Sequence, residues 1–262
     1  ALLLALALVL YYATWAALAV AMSARCHTSR SALLVLLALW VGCVFVLPRM
    51  AASVVEQGMH LPTGEQFWAA IQRDIDNGLP GDGTAAARMK AFDAQLLAEQ
   101  AVNRLEDLPF GANAKRRLFR DAYATRVYAL HFGQLWQVQW RQHALLRLAN
   151  LVTPYAPVRS ISSALAGTDL AHQHHFEEAA EQYRQQFTTM VDEWDMQSTR
   201  GVTSFESRYA GNAQWRAIPV WRYETPGLGF VLRHTAVDWA LLSAWLALAV
   251  GLMCFGARRL NP

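Results

Sequence analysis

Cysteine is scarce in this sequence, and none lies in its longest polar stretch. Cys26, Cys43 and Cys254 fall in or beside apolar runs, so residues 49–235 contain no thiol. This absence excludes a disulfide framework and a cysteine-type zinc site in that stretch. It is also compatible with an oxidising compartment.

Charge is absent from three long stretches. Residues 1–24, 31–48 and 239–257 contain no Asp, Glu, Lys or Arg. Each is long enough to cross about 30 Å of hydrocarbon as a helix. We therefore predict transmembrane helices near residues 2–22, 32–48 and 238–257.

The formal net charge of +3 is concentrated beside these predicted spans. It is accounted for by four arginines less one aspartate: Arg25, Arg30, Arg258, Arg259 and Asp238. Because this excess of positive charge lies beside the predicted spans, we attribute it to their membrane flanks and exclude a nucleic-acid partner. Because arginine concentrates on the cytoplasmic side of membranes, loop 23–31 and tail 258–262 are predicted to be cytoplasmic. Asp238 is expected at the membrane interface.

These boundaries divide the chain into four parts. We predict a transmembrane hairpin over 1–48, an extracytoplasmic domain over 49–235, a last transmembrane helix over 236–257, and the tail 258–262. The abrupt apolar start without a methionine leads us to expect a fragment, with earlier spans preceding it.

Catalytic motifs are also absent. The sequence contains no G-x-x-x-x-G-K-[ST], G-x-S-x-G, H-E-x-x-H or C-x-x-C. We therefore expect no nucleotide bound through a P-loop and no activated nucleophile. The chain is expected to be non-catalytic and to carry no cofactor of its own.

Helical periodicity is what the polar stretch does contain. Apolar residues recur at helical spacing, and no period-2 alternation is apparent, so the expected fold class is all-α. Thr63 and Gln66 form a predicted capping box, and Thr168 or Asp169 is expected to cap a later helix. We predict helices near 63–76, 84–106, 114–151 and 169–193, with Pro154 and Pro157 ending the third.

The segment "AHQHHFEEAAEQ", residues 171–182, concentrates histidines and carboxylates. Candidate metal ligands there are His172, His174, His175 and Glu178, with His174 and Glu178 one helical turn apart. A di-metal bundle would need a second helix with matching ligands, which the sequence does not offer. We favour a solvated helix face with His172 turned toward the packed stripe of Phe176 and Ala180. The metal site is kept as the weaker alternative, and a proton-binding role is left open.

Aromatic residues gather near the predicted last span. The four candidates for a membrane interface or an exit loop are Trp215, Trp221, Tyr223 and Trp239. Trp239 is expected in the interfacial belt of aromatic rings. Trp215 and Trp221 either pack on the outer domain or line a substrate exit, and the sequence does not decide between these alternatives.

Several blocks together resemble a known family. They are "LEDLPFG" (105–111), "HFGQLWQ" (131–137), "ALAGTDLAHQHHFEEAAEQYR" (164–184), "WRAIPVWRYETPGLGFVLR" (215–233) and "ARRL" (257–260). In this order they resemble ABC-2-type transporter permeases, in the subgroup with a large periplasmic domain of unknown function before the last transmembrane helix. The turn "LPFGANA" departs from that pattern, since Gly111 precedes Asn113.

The resemblance implies a permease subunit of an ATP-driven exporter in the bacterial cytoplasmic membrane, with its large domain in the periplasm. Such permeases have about six spans, so it also implies spans before Ala1. The implied partners are a cytoplasmic P-loop ATPase dimer carrying ATP and Mg, a second permease subunit of the same or a homologous kind, the lipid bilayer and a periplasmic protein.

Two alternatives remain beside the transporter. One is a membrane-anchored structural or assembly subunit whose periplasmic helical domain scaffolds partner proteins. The weaker one is a metal-handling membrane protein that uses the histidine segment.

Overall fold

The computed structural model describes residues 1–148, 151–198 and 212–258. The described residues contain no strand, which confirms the all-α prediction. The helices are α1 (Leu2–Ser23), α2 (Ser29–Val41), α3 (Leu47–Gly58), α4 (Gly64–Asn77), α5 (Ala85–Glu99), α6 (Ala112–Leu148), α7 (Tyr155–Leu165), α8 (Leu170–Ser198), α9 (Asn212–Ala217) and α10 (Leu228–Arg258). The predicted tail lies, apart from Arg258, outside the described residues.

Among the described residues, three helical stretches are long and apolar enough to cross a membrane: Leu2–Ser23, Ser29–Gly58 and Leu228–Gly256. The first agrees with the prediction. The second continues past Pro48, which lies in the first turn of α3 directly after a π-helical turn. A π-helical turn, Gly42–Val46, joins α2 to α3. The third begins at Leu228, earlier than the charge-free run alone indicated.

The chain folds into two compact units. The first, which we call the span unit, consists of Ala1–His60, Val138–Glu177 and Glu224–Pro262. The second, the helical unit, consists of Leu61–Gln137 and Glu178–Tyr223. The structure thus groups Val138–Glu177 with the spans, whereas the sequence assigned that segment to the outer domain.

In the span unit, α1 and α10 run parallel. Ala7 and Tyr11 share a buried cluster with Leu242, and Ala17 and Leu18 share another with Ala249. Further along, Gly256 lies against Ala21 and Ala24. The contacts therefore advance in the same direction on both helices, and small residues allow the close approach.

The parallel arrangement fixes which helix ends share a side of the span unit. The guanidinium of Arg25, in the loop after α1, lies 5.8 Å from the ring centroid of Phe255 near the end of α10. The C-terminal end of α10 therefore lies beside the α1–α2 loop. Because α10 runs parallel to α1, its start at Leu228 lies at the opposite end of the bundle.

Helix α7 was not predicted, and it packs against the spans. Pro154 occupies its N-cap and Pro157 its first turn, so both prolines begin a helix as well as end the preceding one. Val158 and Ile161 are buried in the cluster that contains Ala7 and Leu242. The connecting segment inferred from the sequence is therefore part of the helical core of the span unit.

The helical unit confirms most of the predicted helices. Thr63 and Gln66 form the expected capping box at the start of α4. Helix α5 ends at Glu99 rather than near 106, because the chain turns through a positive φ of 52° at Ala101. Aromatic stacking of Phe92 on Phe119, with ring centroids 4.2 Å apart, joins α5 to α6.

A candidate site at the start of the last span

A buried aspartate near the start of α10 is held by two other helices. Asp238 is 1% exposed, and its Oδ2 accepts hydrogen bonds from Arg147 Nη2 at 2.9 Å and from Ser160 Oγ at 3.0 Å. Arg147, on α6, also donates to the main-chain carbonyl of His234 at 3.3 Å. Paired, hydrogen-bonded charge of this kind is what permits a carboxylate to be buried among apolar helices.

An aromatic and histidine cluster lies on the preceding turns of α10. The Phe230 ring lies 4.2 Å from the ring of His234, 5.2 Å from that of His172 and 5.9 Å from that of His175, between ring centroids. The first turns of α8 therefore pack on the first turns of α10. Asp169 begins α8 by accepting the main-chain N–H of His172 at 3.1 Å, which confirms it as one of the two predicted caps.

The same carboxylate also orients a buried imidazole. Asp169 Oδ1 is hydrogen-bonded to His172 Nδ1, and the His172 side chain is 9% exposed. His172 is therefore buried as expected, but it packs on Phe230 rather than on the stripe of Phe176 and Ala180. Phe176, expected on the same packed stripe, is instead 44% exposed.

The half-buried imidazole of His143 has a perturbed pKa. Burial lowers the pKa below its ordinary value of 6.5, the positive charge of Arg147 lowers it further, and the carboxylates of Asp238 and Asp169 partly oppose the shift. The His143 ring also meets Trp140 edge-on, with centroids 5.9 Å apart. The site therefore favours a neutral imidazole at this position.

The four candidate metal ligands do not converge. His172 pairs with Asp169, His175 faces Phe230, and the ring of His174 lies 6.3 Å from that of Trp140. Glu178 is exposed one turn further along α8. Within the described part of the chain, no three His, Cys, Asp or Glu side chains are grouped so that they could hold a metal ion.

The aromatic candidates are divided between the two units. In the helical unit, Trp221 stacks on Tyr183 with centroids 6.0 Å apart, Tyr223 lies 6.2 Å from Trp221, and Trp215 is 56% exposed. In the span unit, Trp239 packs against the cluster that contains Ala7 and Leu242. Trp221 therefore contacts an aromatic residue of its own unit, while the exit-lining alternative and the interfacial location of Trp239 stay predictions.

Sequence reasoning missed the two partners of Asp238. Arg147 is the single charged residue within "ALLRLANLV", residues 144–152, and an isolated arginine in an apolar run is a signal for a buried or interfacial pair. Ser160 carried no such signal. Ser160 and Arg147 lie 78 and 91 positions away from Asp238 in the chain, and no local sequence pattern reveals contacts over such separations.

The helices long and apolar enough to cross a membrane, and the helical domain between the second and the last, define the class: the chain is an α-helical membrane protein. Residues 64–224 match the family model described as a domain of unknown function (DUF3526). The match covers more than half of the chain, so the chain belongs to this family. No curated protein and no solved structure shows a significant match to it.

Proposed function

We propose that this chain is the permease subunit of an ATP-driven ABC-2-type exporter in the bacterial cytoplasmic membrane. Two permease subunits form the pathway through the bilayer, and a cytoplasmic P-loop ATPase dimer, which binds ATP and Mg, supplies the work. In this proposal the chain forms part of the pathway and moves with the ATPase cycle, and it performs no covalent step. The part of the DUF3526 block that lies outside the membrane is on the periplasmic side.

The observation that supports the proposal is a contact between sequence blocks that carry the resemblance to ABC-2-type permeases. Helix α8 begins within "ALAGTDLAHQHHFEEAAEQYR", and α10 begins within "WRAIPVWRYETPGLGFVLR". The ring contacts of His172 and His175 with Phe230 join these two blocks in the span unit. Two of the blocks that carry the resemblance therefore contact each other at the start of the last span.

Charge supports the proposed orientation. Arg25 and Arg30 flank the short α1–α2 loop, and Arg25 lies against Phe255 at the end of α10. Two arginines beside one short loop favour a cytoplasmic location for that end of the bundle. The opposite end, where α3 finishes and α10 begins, then faces the periplasm.

The Asp238 cluster provides a mechanical role for this geometry. Arg147 on α6 and Ser160 on α7 both hold the same carboxylate oxygen of α10. A displacement of α10 during an ATPase cycle would therefore carry α6 and α7 with it. In the proposed transporter this linkage transmits movement of the last span to the segments that precede it in the chain.

The test is co-purification followed by transport biochemistry. The full-length protein is purified from its native host and its partners are identified by mass spectrometry. We expect a P-loop ATPase and vanadate-sensitive ATP hydrolysis in liposomes. An intact complex without a nucleotide-binding subunit would overturn the proposal.

A scaffold role is the second candidate, and exposed aromatic surface in the helical unit favours it. Trp68 is 55% exposed and Trp215 is 56% exposed. Large exposed aromatic side chains are typical anchors of protein interfaces. Under this alternative, Trp68→Ala and Trp215→Ala release bound proteins while no ATPase co-purifies with the wild-type chain.

A further inference from the structure

A hydrogen bond ties the segment between α6 and α7 to the middle of the second span. The hydroxyl of Thr153 donates to the main-chain carbonyl of Cys43 at 3.0 Å, and Thr153 is fully buried. Cys43 lies in the π-helical turn Gly42–Val46, where the helical hydrogen-bond register shifts. Within the bilayer, main-chain groups that lose a helical hydrogen bond through such a shift can form one with a Ser or Thr side chain instead.

The contact sets the depth of this segment. The charge-free run of the second span ends at Pro48, and Cys43 lies five residues before it. Five residues of helix correspond to about 8 Å, so the hydroxyl of Thr153 lies well inside the apolar length of the span. The chain therefore reaches hydrocarbon depth between α6 and α7, within the stretch that the sequence placed outside the membrane.

The side chains around Thr153 are apolar and exposed. Leu148, Leu151 and Val152 are each more than half exposed, and Leu145 is 42% exposed. Contiguous exposed apolar side chains of this kind are unusual on a surface that faces water. They are the expected covering of a surface that faces lipid.

Leu145, Leu148 and Val152 line an apolar groove together with α3. Its cavity volume is about 430 Å³, and its walls include Leu47, Met50, Val54, Leu145, Leu148 and Val152. Met50 and Val54 are also exposed, and they lie on the direct continuation of the second span. The groove is therefore continuous with the lipid-facing surface of that span.

We propose that the end of α6 and residues 151–157 enter the bilayer without crossing it, and that the groove between this segment and α3 binds an acyl chain of a membrane phospholipid. An acyl chain fits because the walls are apolar and because the groove opens onto the span surface. This inference rests on the membrane helices alone and does not depend on the proposed transport function.

The test uses a fluorescent label at single cysteines in the full chain. Cys26, Cys43 and Cys254 are replaced by alanine, which retains the main-chain carbonyl of Cys43. An NBD label is placed at Leu148→Cys in vesicles of phosphatidylethanolamine and phosphatidylglycerol. Its quenching by doxyl-labelled phospholipid is compared with its quenching by aqueous iodide.

Two sites of similar exposure provide the controls. Leu39→Cys, 41% exposed within the second span, reports a lipid-facing position, and Leu130→Cys, 43% exposed on α6 in the helical unit, reports a position outside the spans. We expect the label at Leu148→Cys to behave like that at Leu39→Cys. Its doxyl quenching should exceed that at Leu130→Cys by roughly threefold, because a lipid-bound quencher reaches only groups at bilayer depth.

The groove itself is tested by filling it. Ala51 lines the groove on α3, so the larger side chain of Ala51→Phe should fill the space that the acyl chain occupies. Doxyl quenching at Leu148→Cys should then fall by about half, while quenching at Leu39→Cys stays unchanged. Melting of the labelled variants in detergent checks that each is folded.

Three results would overturn the inference. Iodide quenching at Leu148→Cys equal to that at Leu130→Cys would place the segment in water. Protection from both quenchers would indicate that protein, such as a second copy of the chain, covers the groove. Unchanged doxyl quenching in the Ala51→Phe variant would remove the acyl-chain site. An ATPase-free complex would refute the transporter while leaving these results untouched.

Discussion

Arg147 and Asp238 form an ion pair that joins α6 to the start of the last span, with 2.9 Å between Nη2 and Oδ2. The two partners differ in exposure, since the Asp238 side chain is 1% exposed and the Arg147 side chain 32%. Removal of either partner therefore has different consequences, because the aspartate is the more deeply buried of the two charges.

The first prediction follows from this asymmetry. Arg147→Met should lower the free energy of unfolding by about 3 kcal/mol, because the carboxylate of Asp238 stays buried beside Ser160 and loses its guanidinium. Asp238→Asn should cost only about 1 kcal/mol, since the amide oxygen can still accept from Ser160 and Arg147 keeps its bond to the main-chain carbonyl of His234. Both are measured by denaturant titration of the full chain in detergent micelles.

Arg141→Met is the matched control, because Arg141 is exposed on the same helix. It should change stability by less than about 0.5 kcal/mol. An effect of Asp238→Asn as large as that of Arg147→Met would contradict the interpretation that burial of the aspartate dominates.

The second prediction concerns pH. The pKa of His143 is lowered, first by burial and then by Arg147, so the unfolded chain binds a proton below pH 6.5 that the folded chain does not bind. Stability should therefore fall as the pH decreases below 6.5, and the loss should level off below the folded pKa. His143→Gln should remove this component, which is seen as a shallower dependence of Tm on pH below 6.5.

His60→Gln serves as the control for this measurement, since His60 is exposed in the same unit. It should retain the pH dependence of the wild type. If the His143→Gln variant kept the wild-type dependence of Tm on pH below 6.5, the titrating group would be another residue.

The third prediction separates steric clash from backbone strain in the turn after α4. Gly78 and Gly81 both have positive φ, at 89° and 94°. A Cβ on Gly78 would collide with the carbonyl oxygen of Gly83, whereas a Cβ on Gly81 would meet no atom within 4 Å. Gly81→Ala should cost about 1 kcal/mol, from φ strain alone, and Gly78→Ala about 3 kcal/mol or more.

The measurement is chemical denaturation of the full chain, followed by near-UV circular dichroism. The Tyr123 hydroxyl accepts the main-chain N–H of Leu79 at 2.7 Å, so displacement of this turn should also alter the tyrosine signal. Equal destabilisation by the two substitutions would show that the turn relaxes around a side chain at Gly78.

The elements that could be predicted from the sequence are those with a local cause. The capping box of Thr63 and Gln66 and the capping role of Asp169 depend on residues three positions apart. The spans could be predicted from the length of the charge-free runs, because a helix must be long enough to cross the hydrocarbon core of the bilayer. These features need no knowledge of distant parts of the chain.

The features that the sequence did not reveal depend on tertiary context. Pro154 and Pro157 were interpreted only as the end of a helix, although proline is equally suited to the first turn of the next one. The pairing of Arg147 with Asp238 joins distant segments, so no periodicity indicates it. The depth of Thr153 was likewise hidden, because its partner is a main-chain carbonyl rather than a side chain.

The last prediction compares two buried threonines in the span unit. Thr14 donates to the carbonyl of Leu10 within its own helix, at 2.8 Å, and that carbonyl lies within the regular hydrogen-bond ladder of α1. Thr153 instead donates to Cys43 across helices, at a π-helical turn. Thr153→Val should therefore cost about 1–2 kcal/mol, because it deprives the Cys43 carbonyl of a donor and the Tyr155 N–H of an acceptor, and Thr14→Val less than about 0.5 kcal/mol.

Both variants preserve side-chain shape, so denaturant titration of the full chain in micelles isolates the loss of the hydroxyl. Thr153→Ser restores the donor and should recover most of the stability, apart from the contribution of the missing methyl group. If Thr153→Val and Thr14→Val proved equally mild, the bond between Thr153 and Cys43 would not anchor the segment at its depth, and the attachment would have to come from the packing of Val158 and Ile161 on the spans.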